Sequence, residues 1–472
     1  YKDCFRTVRK NKGRNTEMEC KEKTKLTTNE TLLIATMLFG LFFGAGNLIF
    51  PVYMGQLAGS NVWSAIAGFL ITAVGLPLLG VASIGISRSD GLVELSGKVG
   101  RGYSIAFTCA LYLSIGPFFA IPRCATVPFP VAVSGLLPPE KQPVALAIFS
   151  LLFFAAVLLF SLKPGKILNY VGKFLTPVFL VLLGVLVVTA LIKPMAAVSE
   201  LAPLGAYADN AFITGFLDGY NTMDALASLA FGIVIINVIR GLGVKEPQAV
   251  AVCTAKSGIF SCLIMAVIYV FVTIVGTESR GAGIECANGG EVLSLIASHY
   301  FGRAGALVLA AIATFACLKT SIGLVTSCSE TFCELFPKGP CYRVWAIVFS
   351  IVSFLIANVG LSAIIDYSVP VLMLLYPLAI TLILLGLFGR FFRHDRAVYV
   401  SVTAFTFLAA LLDFVKALPR SASAAMHLEG VIEAATSYLP LFREGLGWLC
   451  PALVGLIVGL ILHCCRRRRT AA

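Results

Sequence analysis

Two stretches of this sequence place glycines and polar side chains inside long apolar runs. The first, Gly40 to Pro51, holds three glycines followed directly by Asn47. The second, Gly215 to Ser228, holds two aspartates, an asparagine and a threonine. An apolar run that crosses a bilayer normally forms a continuous helix, because lipid offers backbone groups no other partner. We therefore expect both runs to be interrupted helices, whose freed N–H and C=O groups can bind a small charged ligand.

Each stretch also has a purely structural interpretation. Gly40 and Gly44 have the spacing of a helix-packing face, and the polar residues of the second stretch could form a seam between helices. Glycine, however, destabilises a helix interior by about 1 kcal/mol relative to alanine. Charged residues at membrane depth are rare and usually functional. These arguments favour a ligand site between the two interruptions.

The composition indicates a polytopic helical membrane protein, with 58% hydrophobic residues, 13% charged residues and a mean hydropathy of +0.92. The expected fold class is an all-α integral membrane protein with twelve transmembrane helices. The expected spans are residues 32–56, 62–87, 103–134, 143–162, 171–193, 211–240, 257–276, 304–333, 342–358, 361–389, 397–415 and 447–464.

The interrupted spans are the first and the sixth, and this spacing is typical of an inverted 5+5 repeat with broken helices 1 and 6. The first repeat would cover about 32–193 and the second about 211–389, followed by helices 11 and 12 at about 397–464. The transmembrane domain as a whole would be residues 31–465. A cytoplasmic polar segment (1–30) would precede it, and a basic cytoplasmic tail (466–472) would follow it.

The net charge of +12 is explained by where the basic residues lie in the expected topology. Of the 36 Lys and Arg residues, 27 lie in the termini and loops expected to be inside, against 7 in the outside loops. This is the positive-inside pattern and not a nucleic-acid surface, so both termini are expected in the cytoplasm. The first thirty residues lack the apolar core of a cleaved signal peptide, and the fourteen cysteines have neither disulfide nor zinc spacing.

An enzyme is disfavoured because no nucleophile and base are placed together. The histidines lie near helix ends or in loops, and neither G-x-S-x-G nor H-E-x-x-H occurs. A passive channel is also disfavoured, because the polar residues cluster at one depth. A membrane sensor that binds an amino acid without moving it remains an alternative, although we expect no added signalling domain.

Two further charged residues fall within spans. Arg123 would lie either at the rim of a wet vestibule or against carbonyls freed near Pro122, because a buried guanidinium is costly otherwise. Lys319 precedes Thr320 and Ser321, whose hydroxyls would suit a sodium ion. The ammonium group of Lys319 would compete with that ion, because it places its own positive charge there. Such hydroxyls also often bond back to a carbonyl one turn earlier.

Several long strings resemble the bacterial branched-chain amino acid:cation symporters, the BrnQ family. They are FFGAGNLIFP, WSAIAGFLITAVGLP, IGPFFAIPR, GYNTMDALASLAFGIVI, ACLKTSIGL and ANVGLSAIIDYSVPVLMLLYP, followed by GLGWLCP near Gly447. The resemblance implies a leucine-transporter-type fold of twelve helices in the bacterial cytoplasmic membrane. It also implies uptake of leucine, isoleucine and valine, with Na⁺ or in some members H⁺ as the coupling ion and no other cofactor.

The resemblance further implies roles for individual residues. The substrate carboxylate would meet the first interruption, at Gly44, Ala45, Gly46 and Asn47. The ammonium group would meet the sixth-span interruption, at Gly219, Tyr220, Asn221, Thr222 and Asp224. The aliphatic chain would be enclosed by Phe118 and Phe119 with Ala227 or Phe231. A sodium ion would take carbonyls of Gly40, Phe43 and Ala316 and the hydroxyls of Thr320 and Ser321.

Two residues depart from the family's pattern. Lys319 stands where the family usually has an uncharged residue. If its ammonium points into the site it would replace sodium, giving a proton-coupled carrier or an exchanger; if it points outward it would snorkel or pair with an acid such as Asp366. Asp218 stands at a position that is often neutral, and we assign it no coupling role.

Overall fold

The computed structural model describes residues 23, 25–87, 89, 91–129, 138–163, 168–418 and 429–471. All regular structure in these ranges is helical, which confirms the all-α expectation for them. Most of the polar segment 1–30, the end of the third expected span and the side chains of 467–472 lie outside the described residues.

We number the α-helices in chain order. They are α1 (Thr28–Phe42), α2 (Ala45–Ala58), α3 (Val62–Leu70), α4 (Leu76–Ile86), α5 (Leu92–Gly97), α6 (Arg101–Leu113), α7 (Ala120–Thr126), α8 (Gln142–Ser161), α9 (Thr176–Ile192), α10 (Ala206–Asp218), α11 (Asp224–Gly241), α12 (Pro247–Glu278), α13 (Gly289–Leu335), α14 (Tyr342–Ala357), α15 (Leu361–Phe388), α16 (Arg396–Ala417), α17 (Glu429–Tyr438) and α18 (Leu449–Ala471). Three π-helical segments, Ile71–Gly75, Ser114–Phe118 and Leu168–Leu175, adjoin α3, α6 and α9.

Ten helical stretches in the described residues are long and apolar enough to cross a membrane, and α1 and α14 are shorter apolar helices. One of the ten runs from Ala45 to Ile86 and joins α2 to α4. The chain is therefore a multi-pass membrane protein, while the count of twelve spans stays a prediction. The predicted start of the eighth span, residue 304, follows Gly302, where non-helical dihedral angles (φ 57°, ψ −139°) kink α13. Helix α12, by contrast, begins at Pro247, before residue 257, where its span was predicted to start. Hydropathy detects the stretch that lies in lipid and not the polar turns that extend the helix into water.

The centre of the bundle is formed by α1, α2 and α11. Residues Phe39 and Leu41 of α1 are fully buried, as is Leu229 of α11. By contrast, Leu152 of α8 and Val181 of α9 each expose 66% of their surface, as expected for side chains that face lipid. A helix that is apolar all round and buried all round belongs to the core of a bundle. Any site between α1, α2 and α11 is thus enclosed by protein.

Glycines bring α2 and α12 into backbone contact. A Cβ on Gly55 of α2 would lie 2.0 Å from the carbonyl oxygen of Thr273 in α12. In return, a Cβ on Gly276 of α12 would lie 2.1 Å from the carbonyl oxygen of Val52 in α2. Small residues allow this approach in membranes, where association depends on packing rather than on the hydrophobic effect. The contact fixes α2 at the distance from α12 that the site requires.

Candidate functional site

The first helix interruption lies between α1 and α2. The chain leaves the helix at Phe43, whose ψ of 89° is not helical, and resumes at Ala45. The backbone N–H of Gly44 donates to the side-chain oxygen of Asn47 at 2.9 Å. A Cβ on Gly44 would lie 3.0 Å from Thr320 in α13, so glycine permits this close approach.

The second interruption lies between α10 and α11. The chain forms a 3-10 turn at Gly219–Thr222 and then places Met223 in the left-handed region, with φ of 62°. This conformation is uncommon for a residue other than glycine, and such strain is often found at binding sites. The Thr222 hydroxyl donates to the Gly219 carbonyl at 2.8 Å and accepts from the Asp224 N–H at 3.4 Å. Asp224 therefore begins α11 directly after the interruption.

A buried polar network joins the two interruptions. The Asn47 amide donates to the Asp224 carboxylate at 2.6 Å, and the Tyr269 hydroxyl donates to the same oxygen at 2.9 Å. Asn47 also donates to the Tyr269 hydroxyl. All three side chains are at most 2% exposed. The network ties α2, α11 and α12 together and orients the Asp224 carboxylate.

Tyr269 was not among the residues predicted for the site. It lies in the seventh expected span without any local break in sequence. Only the packing of α12 beside α2 brings its hydroxyl to Asp224, so no signal in the sequence pointed to it.

The interruptions enclose a cavity of about 40 Å³. Sites for small-molecule ligands usually measure about 300–1,000 Å³, so this cavity is nearly closed. Eight of the predicted substrate residues line it, together with six apolar residues and three polar ones. The predicted ones are Gly44, Ala45, Gly46, Asn47, Asn221, Thr222, Asp224 and Ala227. The others are Leu41, Phe42, Ile115, Ala120, Met223, Leu324, Arg123, Cys124 and Thr320.

The remaining predicted substrate residues lie outside the cavity lining. Phe118 is 42% exposed and packs edge-on against Phe119. Tyr220 stacks on the Tyr376 ring with centroids 4.2 Å apart, and Phe231 packs edge-on against Phe42, 5.6 Å away. Gly219 lies instead against the side chain of Thr72 in the π segment after α3. The apolar wall of the cavity thus comes from α1, α7, α11, α13 and the π segment after α6.

Arg123 is one of the cavity-lining residues and is 6% exposed. Its Nη1 lies 3.5 Å from the carbonyl oxygen of Asn221, and its guanidinium lies 5.6 Å from the Phe50 ring centroid. The side chain therefore contacts a carbonyl freed by the second interruption, rather than one near Pro122 as one alternative from the sequence proposed.

Asp218 is held away from the cavity by its own neighbours. Tyr207 donates its hydroxyl to the carboxylate, and the Asn221 amide lies 3.5 Å from the second carboxylate oxygen. The aspartate thus stabilises the end of α10, close to the interruption.

The residues predicted for a sodium ion lie where α1 meets α13. The Thr320 hydroxyl lies 3.4 Å from the Gly40 carbonyl oxygen. The Ser321 hydroxyl is buried and has no hydrogen-bond partner in the described part of the chain. Ala316 lies one turn before Thr320 on the same helix, and Phe43 is the residue at which α1 ends. Hydroxyl and carbonyl oxygens are ligands that suit a hard cation.

Lys319 does not point at this oxygen set. Its Nζ lies 3.7 Å from the centroid of the Phe179 ring and 5.0 and 5.8 Å from those of Phe39 and Phe43. The side chain is fully buried, and its Nζ has no hydrogen-bond partner among the described residues. The ammonium is thus held by ring faces, which attract cations. Within the described ranges it neither snorkels to the surface nor pairs with Asp366.

A family model described as "Branched-chain amino acid transport protein" matches residues 27–466. The chain belongs to this family. Assignment to the branched-chain amino acid transport family confirms the resemblance drawn from the motifs.

Curated members of the family are similar over nearly their whole length. The branched-chain amino acid permease BrnQ of Lactobacillus delbrueckii subsp. lactis is 55% identical over 433 residues, covering 92% of this chain and 96% of the relative. BrnQ of Bacillus subtilis strain 168 is 44% identical, covering 94% and 99%, and BrnQ of Escherichia coli K12 is 36% identical, covering 93% and 96%. These relatives are named permeases, so the chain is a transporter and not an enzyme.

Solved structures show the same fold at low sequence identity. Mhp1, a nucleobase-cation-symport-1 family transporter with bromovinylhydantoin bound, gives a TM-score of 0.56 at 15% identity, covering 93% of this chain and 92% of Mhp1. MhsT in complex with L-phenylalanine gives 0.55 at 15% identity, covering 93% and 98%. This chain therefore has the leucine-transporter-type fold.

Proposed function

We propose that this chain imports leucine, isoleucine and valine by sodium symport and alternating access. The observation that supports this most strongly is that both helix interruptions meet at one buried cavity. The N-terminus of α2 favours a carboxylate, because the first N–H groups of a helix have no intrahelical carbonyl partner and the helix dipole is positive there. The carbonyls of the second interruption and the Asp224 carboxylate would receive the ammonium group.

The cavity wall accounts for a preference for aliphatic side chains. Leu41, Phe42, Ile115, Ala227 and Leu324 present only apolar side chains to it. Each methylene buried there stabilises the complex by about 0.8 kcal/mol, so leucine would bind more tightly than alanine. A cavity of about 40 Å³ has no room for an amino acid, so the walls would separate on binding.

The packing of the interrupted helices supports an inverted 5+5 repeat within twelve spans. Both halves of the first span, α1 and α2, pack against α12 in the seventh. Both halves of the sixth span, α10 and α11, pack against α3 and α4 in the second. A repeat that relates span 1 to 6 and span 2 to 7 exchanges these two sets of contacts. Rocking of one set against the other would open the cavity to each side in turn.

The coupling ion would be held by the carbonyls of Gly40, Phe43 and Ala316 and the hydroxyls of Thr320 and Ser321. Bound sodium would supply a positive charge where α1 ends. The Lys319 ammonium lies against the rings of Phe39, Phe43 and Phe179 and leaves these oxygens available. The positive-inside charge pattern supports a bacterial cytoplasmic-membrane location with both termini inside.

The buried Lys319 also supports an alternative, in which its ammonium replaces sodium and the protein is proton-coupled or an exchanger. The residue precedes Thr320 and follows Ala316 by three positions, so a rotation of its flexible stem would bring the charge to the same oxygens.

Radiolabelled leucine uptake into proteoliposomes tests both proposals. Wild type, Lys319→Thr and Thr320→Val would each be given an inward Na⁺ gradient and, separately, a pH gradient. We expect uptake driven by sodium in the wild type and in Lys319→Thr, and loss of sodium dependence in Thr320→Val. Uptake driven by the pH gradient alone, with sodium dependence appearing in Lys319→Thr, would favour the alternative. Exchange without concentrative uptake would indicate an exchanger, and binding without transport would indicate a sensor.

A further inference from the structure

The guanidinium of Arg123 lies beside the proposed carboxylate site. Its Nη1 is 3.5 Å from the Asn221 carbonyl oxygen, and a Cβ on Gly46 would be 3.4 Å from the same oxygen. Arg123 and the first turn of α2 therefore flank one carbonyl group at the edge of the cavity. The other amino group, Nη2, is buried and has no hydrogen-bond partner in the described residues.

The charge of Arg123 is not balanced within the described part of the chain. No acidic side chain there lies within ion-pair distance of it, and its polar contacts are limited to one long hydrogen bond and the Phe50 ring. A buried guanidinium with a free N–H is costly, because both its charge and its donor are removed from water. This cost is offset if a ligand brings an anionic acceptor into the cavity.

The same cavity holds one carboxylate, that of Asp224, which forms no ion pair in the described residues either. Asp224 is oriented by Asn47 and Tyr269, which are neutral donors. One cationic and one anionic group, unpaired with each other, line a single cavity. An α-amino acid carries the complementary pair, an ammonium and a carboxylate on adjacent atoms.

We propose that Arg123 is the charged anchor of the substrate carboxylate and selects amino acids over amines and amides. This inference rests on the proposed function. The α2 N-terminus supplies backbone N–H groups, which can donate to any anion or polar oxygen. Arg123 adds a full positive charge and a free N–H, and charge-assisted bonds of this type are about twice as strong as neutral ones. Discrimination against a ligand without the carboxylate charge would therefore depend on Arg123.

Ligand-induced shifts in melting temperature of the purified full chain in detergent would test the proposal, with L-leucine and L-leucinamide as probes. Wild type is expected to bind leucine far more tightly than leucinamide. In Arg123→Gln, affinity for leucine should fall roughly 10- to 100-fold, as expected for a lost hydrogen bond to a charged group. Affinity for leucinamide should stay nearly unchanged, so the preference for leucine collapses.

Two further variants separate this role from a structural one. Arg280→Gln makes the same change at an arginine that donates to the Ala202 carbonyl away from the cavity, and it should keep the wild-type preference. Arg123→Lys keeps the charge but loses the planar fork, so its preference should be intermediate. It also supplies the readout if Arg123→Gln is not recovered in folded form.

The outcomes distinguish this inference from the function on which it rests. An equal loss of affinity for both ligands in Arg123→Gln, with the preference for leucine intact, would show a structural role and overturn the inference alone. Wild type that is not stabilised by leucine would overturn the proposed function and the inference with it. A collapse of the preference in Arg123→Gln but not in Arg280→Gln would support the inference.

Discussion

Substitution of Gly44 would test the close approach of the first interruption to α13. The Cβ of Gly44→Ala would lie 3.0 Å from both Oγ1 and Cγ2 of Thr320. An ordinary carbon contact is about 3.5–4.0 Å, so one side must move by roughly half an ångström. Overpacking of this kind typically costs about 1–3 kcal/mol. Gly44→Val adds two more methyl groups and should abolish leucine uptake while leaving membrane insertion intact.

A double-mutant cycle identifies Thr320 as the cause of the loss. Thr320→Ser removes Cγ2 and keeps the hydroxyl, so it should recover part of the stability lost in Gly44→Ala, with a coupling energy of about 0.5–3 kcal/mol. Thermal unfolding in detergent and leucine uptake in proteoliposomes would be measured for all four proteins. Gly184→Val in α9 is the matched control, because a Cβ at that position meets no atom within 4 Å. Uptake at the wild-type rate by Gly44→Val would refute the placement of the site.

Three further predictions follow from contacts elsewhere in the bundle. Tyr269→Phe keeps the ring but removes both hydrogen bonds of its hydroxyl, so it should lower the free energy of unfolding by about 1–3 kcal/mol. The control Tyr300→Phe, at the periphery of the bundle, should lower it less. Equal losses of stability in thermal unfolding would argue against the network. Gly55→Leu should prevent recovery of monodisperse protein in size-exclusion chromatography, because its Cβ would lie 2.0 Å from a carbonyl oxygen of α12. Normal recovery of this variant would contradict the close approach of the two helices. The hydrogen bond to His463 and the N–H at the start of α16 lower the pKa of Asp395. A lowered pKa stabilises the fold above the unfolded value of about 3.9 and ceases to do so as the pH falls through the folded value. The melting-temperature difference between wild type and Asp395→Asn should therefore be present at pH 7 and shrink as the pH falls below about 3.9. A difference independent of pH would be inconsistent with this linkage.

The part of the site predicted from sequence is the part encoded by local chain chemistry. Glycines and polar residues in two apolar runs located Gly44 to Asn47 and Asn221 to Asp224, and the structure places both groups at the cavity. Such residues disfavour a continuous helix wherever they occur, so their effect can be read without knowledge of the neighbours.

The part that sequence reasoning did not locate depends on contacts between distant helices. Tyr269 enters the network only because glycine contacts set the distance between α2 and α12. Phe118 and Phe119 were expected in the pocket, but the π-helical segment Ser114–Phe118 changes the direction of the side chains around it. A π turn adds a residue to the helical repeat, so ideal helical spacing does not predict which side chains then face inward.

A cryo-electron microscopy structure of the chain in lipid nanodiscs with L-leucine bound would show directly whether the two interruptions form the substrate site. We expect density for the amino acid between the two interruptions, with its carboxylate near Gly46 and Arg123 and its ammonium near Asp224. The volume of the cavity should then be larger than the present 40 Å³ or so. Leucine bound anywhere else in the bundle, with this cavity still closed, would refute this placement of the substrate.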